Sequence, residues 1–258
     1  MNSPTIGFIG GGRITRIFLE GWTRAHQIPP EVLVSDPNAE VLSALKARFP
    51  AVHTTPDNAL AARQDLVFLA VHPPLVAEVT AGIRDQLKPD ATVVSLAPKF
   101  TIAKLTELLG GFNRLARVIP NAPSIVGAGY NPVTFGSALG IPEEALLTRL
   151  FESLGEFPEV AEEKLEAYAV LTAMGPTYLW FQWQTLRELA IGFGLSDEEV
   201  VPALTQMVGG AMQTLLEAGL SPAEVTDLIP VKPLAAMEPQ VVEAYRTTLP
   251  AIYHKIKP

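Results

Sequence analysis

Apolar residues in the first 160 positions gather in short runs, with amphipathic stretches between them. The runs are Thr5–Ile9, Val32–Val34, Gln64–Val71, Thr92–Ala97, Leu115–Ile119, Asn131–Phe135 and Phe157–Val160. Of these, Gln64–Val71 is continuous enough to predict a strand covered on both faces, as in a parallel sheet. The stretches between them predict helices over Asn38–Phe49, Leu75–Leu87, Ile102–Leu109 and Leu146–Leu154. Strands separated by helices of this length form βαβ units, and successive units wind a sheet with helices on both sides.

Beyond about residue 160 the strand signal stops and helical periodicity takes over. A helix is predicted over Glu162–Leu189, interrupted at Gly175-Pro176. Ser196-Asp197-Glu198-Glu199 has the form of a capping box and opens a run to about Glu217. Ser221-Pro222-Ala223-Glu224 opens another helix, and Pro239–Ile256 supplies the last. The expected architecture is α/β: a Rossmann-type doubly wound parallel sheet over 1–160, followed by an all-helical domain over 161–258. Leu179, Trp180, Phe181, Trp183 and Leu186 are a large apolar load for so small a helical domain. A homodimer that buries part of it against a second copy is therefore expected.

The first strand turns straight into a helix through Gly10-Gly11-Gly12, followed by Arg13 and Ile14. This is the opening of a dinucleotide-binding unit. Gly10 permits the tight turn, Gly12 lets the backbone approach a pyrophosphate, and the helix N–H groups face the anion. Thr15 stands where a third glycine is usual. Asp36, at the end of the second strand, is placed to accept ribose hydroxyls and to repel a 2′-phosphate. Its alternative role is the N-cap of the Asn38–Phe49 helix.

Composition narrows the class further. The chain has 258 residues, 48% hydrophobic and 18% charged, with a formal net charge of −8 and no cysteine. The negative balance argues against a nucleic-acid partner. The absence of cysteine removes disulfides, zinc–thiolate sites and a thiol nucleophile, and no metal site is expected. No apolar run approaches the roughly 20 residues of a membrane span, and the first strand begins too early to leave room for a signal peptide. A cytoplasmic protein is expected.

With these residues in view, the chain resembles the pyrroline-5-carboxylate reductase family, whose members transfer hydride from a reduced nicotinamide to a cyclic imine. The resemblance rests on Ile6–Gly12, on Phe68-Leu69-Ala70-Val71-His72-Pro73, on Arg117-Val118-Ile119-Pro120-Asn121-Ala122-Pro123 and on Met174-Gly175-Pro176-Thr177-Tyr178. It implies NAD(P)H as cofactor, bound by Gly10, Gly11, Gly12, Arg13, Ile14, Asp36, Val71, His72, Pro73, Asn121 and Pro123. It also implies that the helical end is a dimerisation domain. His72, where the family usually has lysine, is the candidate general acid. Tyr178 is a candidate for closing the substrate pocket, and Lys232 and Lys99 for holding a substrate carboxylate.

The departures bear on the substrate. Where the family carries S-P-G-G-T-T, this chain has Pro230-Val231-Lys232-Pro233-Leu234-Ala235-Ala236-Met237. Two prolines there remove backbone donors, and alanines supply no side-chain ones. Ala97-Pro98-Lys99 replaces A-A-G, and Thr172-Ala173-Met174 replaces S-G-S. The expected activity is reduction of pyrroline-5-carboxylate or a similar cyclic imine. The alternatives are a reductase of a different imine or oxo acid, and a non-catalytic dinucleotide-binding dimer.

Overall fold

The structure is a computed structural model, and it describes residues 4–258. The chain divides into two compact units: one runs to Met174 and takes in Ile252–Pro258, the other is Gly175–Ala251.

The first unit carries strands β1 (Ile6–Ile9), β2 (Val32–Ser35), β3 (His53–Thr55), β4 (Leu66–Leu69), β5 (Thr92–Ser95) and β6 (Leu115–Val118), all parallel. Strand β7 (Gly129–Tyr130) pairs outside this sheet with β9 (Gly155–Glu156), while β8 (Val133–Phe135) closes the main sheet antiparallel to β6. The order is β3-β2-β1-β4-β5-β6-β8, so the winding reverses between β1 and β4. Helices α1 (Arg13–Arg24), α2 (Ala39–Arg48), α3 (Asn58–Ala62), α4 (Val76–Ile83), α5 (Ile102–Leu108) and α6 (Ile141–Glu152) complete the expected doubly wound α/β fold.

Alternation along β1 divides the core between the two faces of the sheet. Ile6 and Phe8 belong to one cluster with Phe18, Trp22 and Phe151, and Ile9 belongs to another with Val67, Leu69 and Val93. On the first face Phe8 stacks on Phe68 at 4.7 Å between ring centroids, and Phe18 meets Phe68 and Phe151 edge-on. The Trp22 indole N–H donates to the Leu150 carbonyl at 2.8 Å, so its one polar atom is satisfied inside the core.

Several elements differ from the sequence expectation. β3 and α3 carry too little apolar pattern to be read: one is three residues at the sheet edge, the other five. Helix α6 begins at Ile141 rather than Leu146, because Pro142 sits in its first turn and Glu143 accepts the Gly140 N–H at 2.9 Å. Where a strand was expected over Phe157–Val160, the strand is Gly155–Glu156, with one further bridge between Val133 and Glu159. The helix expected from Glu162 consists of a 3-10 turn, a short α7 (Leu165–Tyr168) and a π-helical stretch Ala169–Ala173.

The second unit contains α8 (Pro176–Gly192), α9 (Asp197–Glu217), α10 (Pro222–Asp227) and most of α11 (Glu238–Ile256). Ser196 caps α9 and Ser221 caps α10, each with the glutamate three positions on accepting the serine N–H at 2.8 Å. Among the described residues no helix is long and apolar enough to cross a membrane.

A Cβ at Gly7 would overlap the Ala61 carbonyl oxygen, so β1 and α3 touch through bare backbone. Gly7→Ala should cost about 2 kcal/mol by overpacking. Urea denaturation should show a lower midpoint with an unchanged slope.

Candidate active site

The C-terminal ends of the parallel strands open into a cleft of about 640 Å³ at the point where the winding reverses. Every residue lining it belongs to the first unit.

The turn between β1 and α1 forms one wall. Gly10 has φ +106°, and a Cβ there would lie 2.6 Å from the Ala70 carbonyl oxygen, so only glycine fits. Its N–H donates to the Ser35 carbonyl at 2.8 Å, and its own carbonyl accepts the buried Thr15 hydroxyl at 2.6 Å. Thr15 thus ties down the turn from the place of the usual third glycine. Gly12 faces open space, with no atom near a would-be Cβ. The first turn of α1 holds no acidic residue and no side-chain cap, so the N–H groups of Gly12, Arg13 and Ile14 lack intrahelical acceptors. Gly10, Gly12, Arg13 and Ile14 all line the cleft. This is a cradle fitted to a pyrophosphate.

Gly11 has a different part. It is buried and does not line the cleft, and its N–H donates to Asp36 Oδ2 at 2.8 Å. Asp36 Oδ1 accepts the Asn38 N–H at 2.8 Å. Both carboxylate oxygens are therefore fixed by backbone donors, and each keeps a further lone pair for a ribose hydroxyl. The N-cap of α2 is Asn38, whose side chain accepts from Glu40 and Val41; it is not Asp36. Pro37, Pro56 and Asn58 complete this end.

Val71, His72 and Pro73 line the middle of the cleft at the end of β4. His72 is exposed and precedes a 3-10 turn, where its carbonyl accepts the Leu75 N–H at 2.9 Å. The far end is apolar: Leu96, Ala97 and Pro98 after β5, Ile119 and Pro120 after β6, and Ala169, Ala173 and Met174 from the π-helical stretch.

Asn121 and Pro123 are not among the lining residues. Asn121 is 6% exposed; its side chain accepts the Tyr130 N–H and donates to the Thr172 carbonyl, both at 3.2 Å. It ties β7 to the π-helical wall. Tyr178 and Lys232 belong to the helical unit. Tyr178 lies edge-on to Tyr245 at 5.8 Å, and burial, with Tyr245 second, pushes its hydroxyl above the ordinary tyrosine value. It is a neutral donor near pH 7. Lys232 is exposed, and so is Lys99. Among the described residues no three acidic or histidine side chains converge as a metal site.

Arg117 anchors a further group of side chains that no local motif announces. Arg117 on β6, two positions before the cleft-lining Ile119, is 1% exposed and bonds Glu166 at 2.5 Å and Glu162 at 3.1 Å. Its sequence signal was only its place in the Arg117–Pro123 segment.

Residues 5–99 match the family described as NADP oxidoreductase, coenzyme F420-dependent. A pyrroline-5-carboxylate reductase of Corynebacterium melassecola is 29% identical over 224 residues, covering 86% of this chain and 83% of that one. The structure of a pyrroline-5-carboxylate reductase from Coxiella burnetii aligns at 28% identity with a TM-score of 0.70, covering 99% of this chain and 95% of that one. That of the Plasmodium falciparum pyrroline carboxylate reductase with NADP bound has a TM-score of 0.78 at 20% identity, covering 99% and 96%. The chain is an NAD(P)-dependent oxidoreductase, and along most of its length it is similar to pyrroline-5-carboxylate reductases.

Proposed function

We propose that this protein reduces pyrroline-5-carboxylate or a closely similar cyclic imine, as a homodimer and with NADH preferred over NADPH. The observation that carries the reading is the polarity gradient of the cleft, with anion-binding N–H groups and a carboxylate at one end and apolar walls at the other. The apolar end holds and orients the acceptor and keeps water away from it, and a bound reduced nicotinamide supplies the hydride. A cyclic imine can arrive already protonated, with its carbon electrophilic, so no strong acid is mandatory on the protein. For an oxo acid a donor is required, and His72 is the imidazole lining the cleft. The Pro230–Met237 stretch is the observation that favours this second reading, because it lacks the glycines and threonines of the family segment. Purified protein with NADH should oxidise the cofactor when pyrroline-5-carboxylate is added. Turnover confined to 2-oxo acids would establish the second reading, and none with either class would leave a dinucleotide-binding protein without reductase activity.

The preference for NADH rests on Asp36. A 2′-phosphate would meet a carboxylate already held in place by the Gly11 and Asn38 N–H groups, with no freedom to swing aside. Asp36→Ser should weaken NADH about tenfold or more, the scale of a hydrogen bond to a charged group. It should strengthen NADPH, and the two dissociation constants from fluorescence titration report both changes.

The dimer rests on the helical unit. Val200 is the buried residue among its described hydrophobic side chains, while Phe181, Phe193, Leu216 and Leu234 are 65%, 82%, 72% and 74% exposed. Apolar surface on this scale calls for a partner, and a second copy supplies one of matching character. Sedimentation velocity should give about twice the 27.7 kDa chain mass. A monomer at micromolar concentration would refute the assembly.

A further inference from the structure

Arg117 and Glu166 are both 1% exposed, and the arginine sits between two carboxylates one helical turn apart. Each of those carboxylates does a second thing. Glu166 Oε1, which accepts from Arg117 Nη2, also accepts the Lys99 N–H at 3.0 Å. Glu162 Oε1, which accepts from Arg117 Nη1, also accepts the Ile102 N–H at 2.6 Å. The pair thus grips both sides of the turn between β5 and α5, with Arg117 fixing the pair to β6.

Within that turn Lys99 has φ +81°, a conformation that costs a residue with a Cβ and that glycine adopts freely. The strain persists because a buried, ion-paired oxygen holds the Lys99 N–H. The two residues before it, Ala97 and Pro98, line the apolar end of the cleft, as do Ile119 and Pro120, two and three positions after Arg117. Ala169 and Ala173, on the opposite wall, follow Glu166 by three and seven positions. One buried network therefore touches each backbone segment that shapes this end.

We propose that Glu166 is a positioning residue for the nicotinamide half of the cofactor, acting through the Lys99 N–H to set the Ala97–Pro98 edge of the cleft. The inference rests on the cleft being a dinucleotide site, with the adenosine half at Asp36 and the nicotinamide half across the switch point. It does not depend on which substrate is reduced.

The test compares NADH with ADP-ribose, which lacks the nicotinamide, by titrating each against the full-length protein. Glu166→Ala should weaken NADH about tenfold and ADP-ribose less than about twofold, the first being the scale of a lost charge-assisted hydrogen bond. Glu166→Gln keeps an acceptor oxygen in place and should recover most of the NADH affinity. Adding Lys99→Gly to Glu166→Ala should also recover it, because glycine adopts φ +81° without the strain that the clamp offsets in lysine. If Glu166→Ala fails to fold, the same comparison is made with Glu166→Asp, which keeps the charge beside Arg117 but draws the oxygen back from the Lys99 N–H, and an NADH-only loss that Lys99→Gly reverses is expected. Equal losses for NADH and ADP-ribose, no loss of NADH affinity, or no recovery on adding Lys99→Gly would each overturn the proposal. Failure of the unaltered protein to bind either ligand would instead overturn the dinucleotide site itself.

Discussion

The close approach of Gly10 to Ala70 is the constraint on which the working half of this molecule depends. With φ +106° and no Cβ, the chain leaves β1, passes the end of β4 at backbone contact and enters α1 within three residues. A side chain at Gly10 would push β1 and β4 apart at the point where the winding reverses, which is where the cleft opens. The same turn sends the Gly11 N–H to Asp36 and so brings the end of β2 into register with the start of α1. Farther along α1, Gly21 lets the helix lie on the backbone of Ser124. Turn, carboxylate and helix are set as one piece of geometry.

At the other end of the cleft the constraint is electrostatic. A buried guanidinium needs partners, because an unpaired charge in a low-dielectric interior is strongly destabilising. Arg117 finds Glu162 and Glu166, and the surplus negative charge is stabilised by the Lys99 and Ile102 N–H groups. Packing needs thereby become shape at the cleft. The π-helical stretch Ala169–Ala173 follows directly, with its Thr172 carbonyl accepting the Asn121 side-chain N–H. The cofactor half thus keeps the architecture of its relatives, while the sequence diverges where the substrate's polar contacts would be expected.

The strands of the sheet were legible because parallel strands covered on both faces are written as apolar runs, as in Leu66-Val67-Phe68-Leu69. The glycine turn and Asp36 were legible because their chemistry is local, lying within 26 positions of each other. β3 escaped because His53-Thr54-Thr55 is short and polar at the sheet edge, where one neighbour suffices. α6 was read late because its start is written in Gly140, Pro142 and Glu143 and not in hydrophobic period. Arg117 could not be understood from its own neighbourhood, since its partners lie 45 and 49 positions away. Asn121 is expected at the cofactor from its segment, and its bonds to Tyr130 and Thr172 add a tie that the segment does not announce. Side chains whose role is set by distant partners carry little local signal.

The most direct test of this account is a crystal structure of the protein grown with NADH. It should show the pyrophosphate on the N–H groups of Gly12, Arg13 and Ile14, the ribose hydroxyls on Asp36 and the nicotinamide ring between Ala97-Pro98 and Ile119-Pro120. A cofactor bound with its nicotinamide at Asp36, or crystals in which the cleft stays empty at saturating NADH, would contradict it.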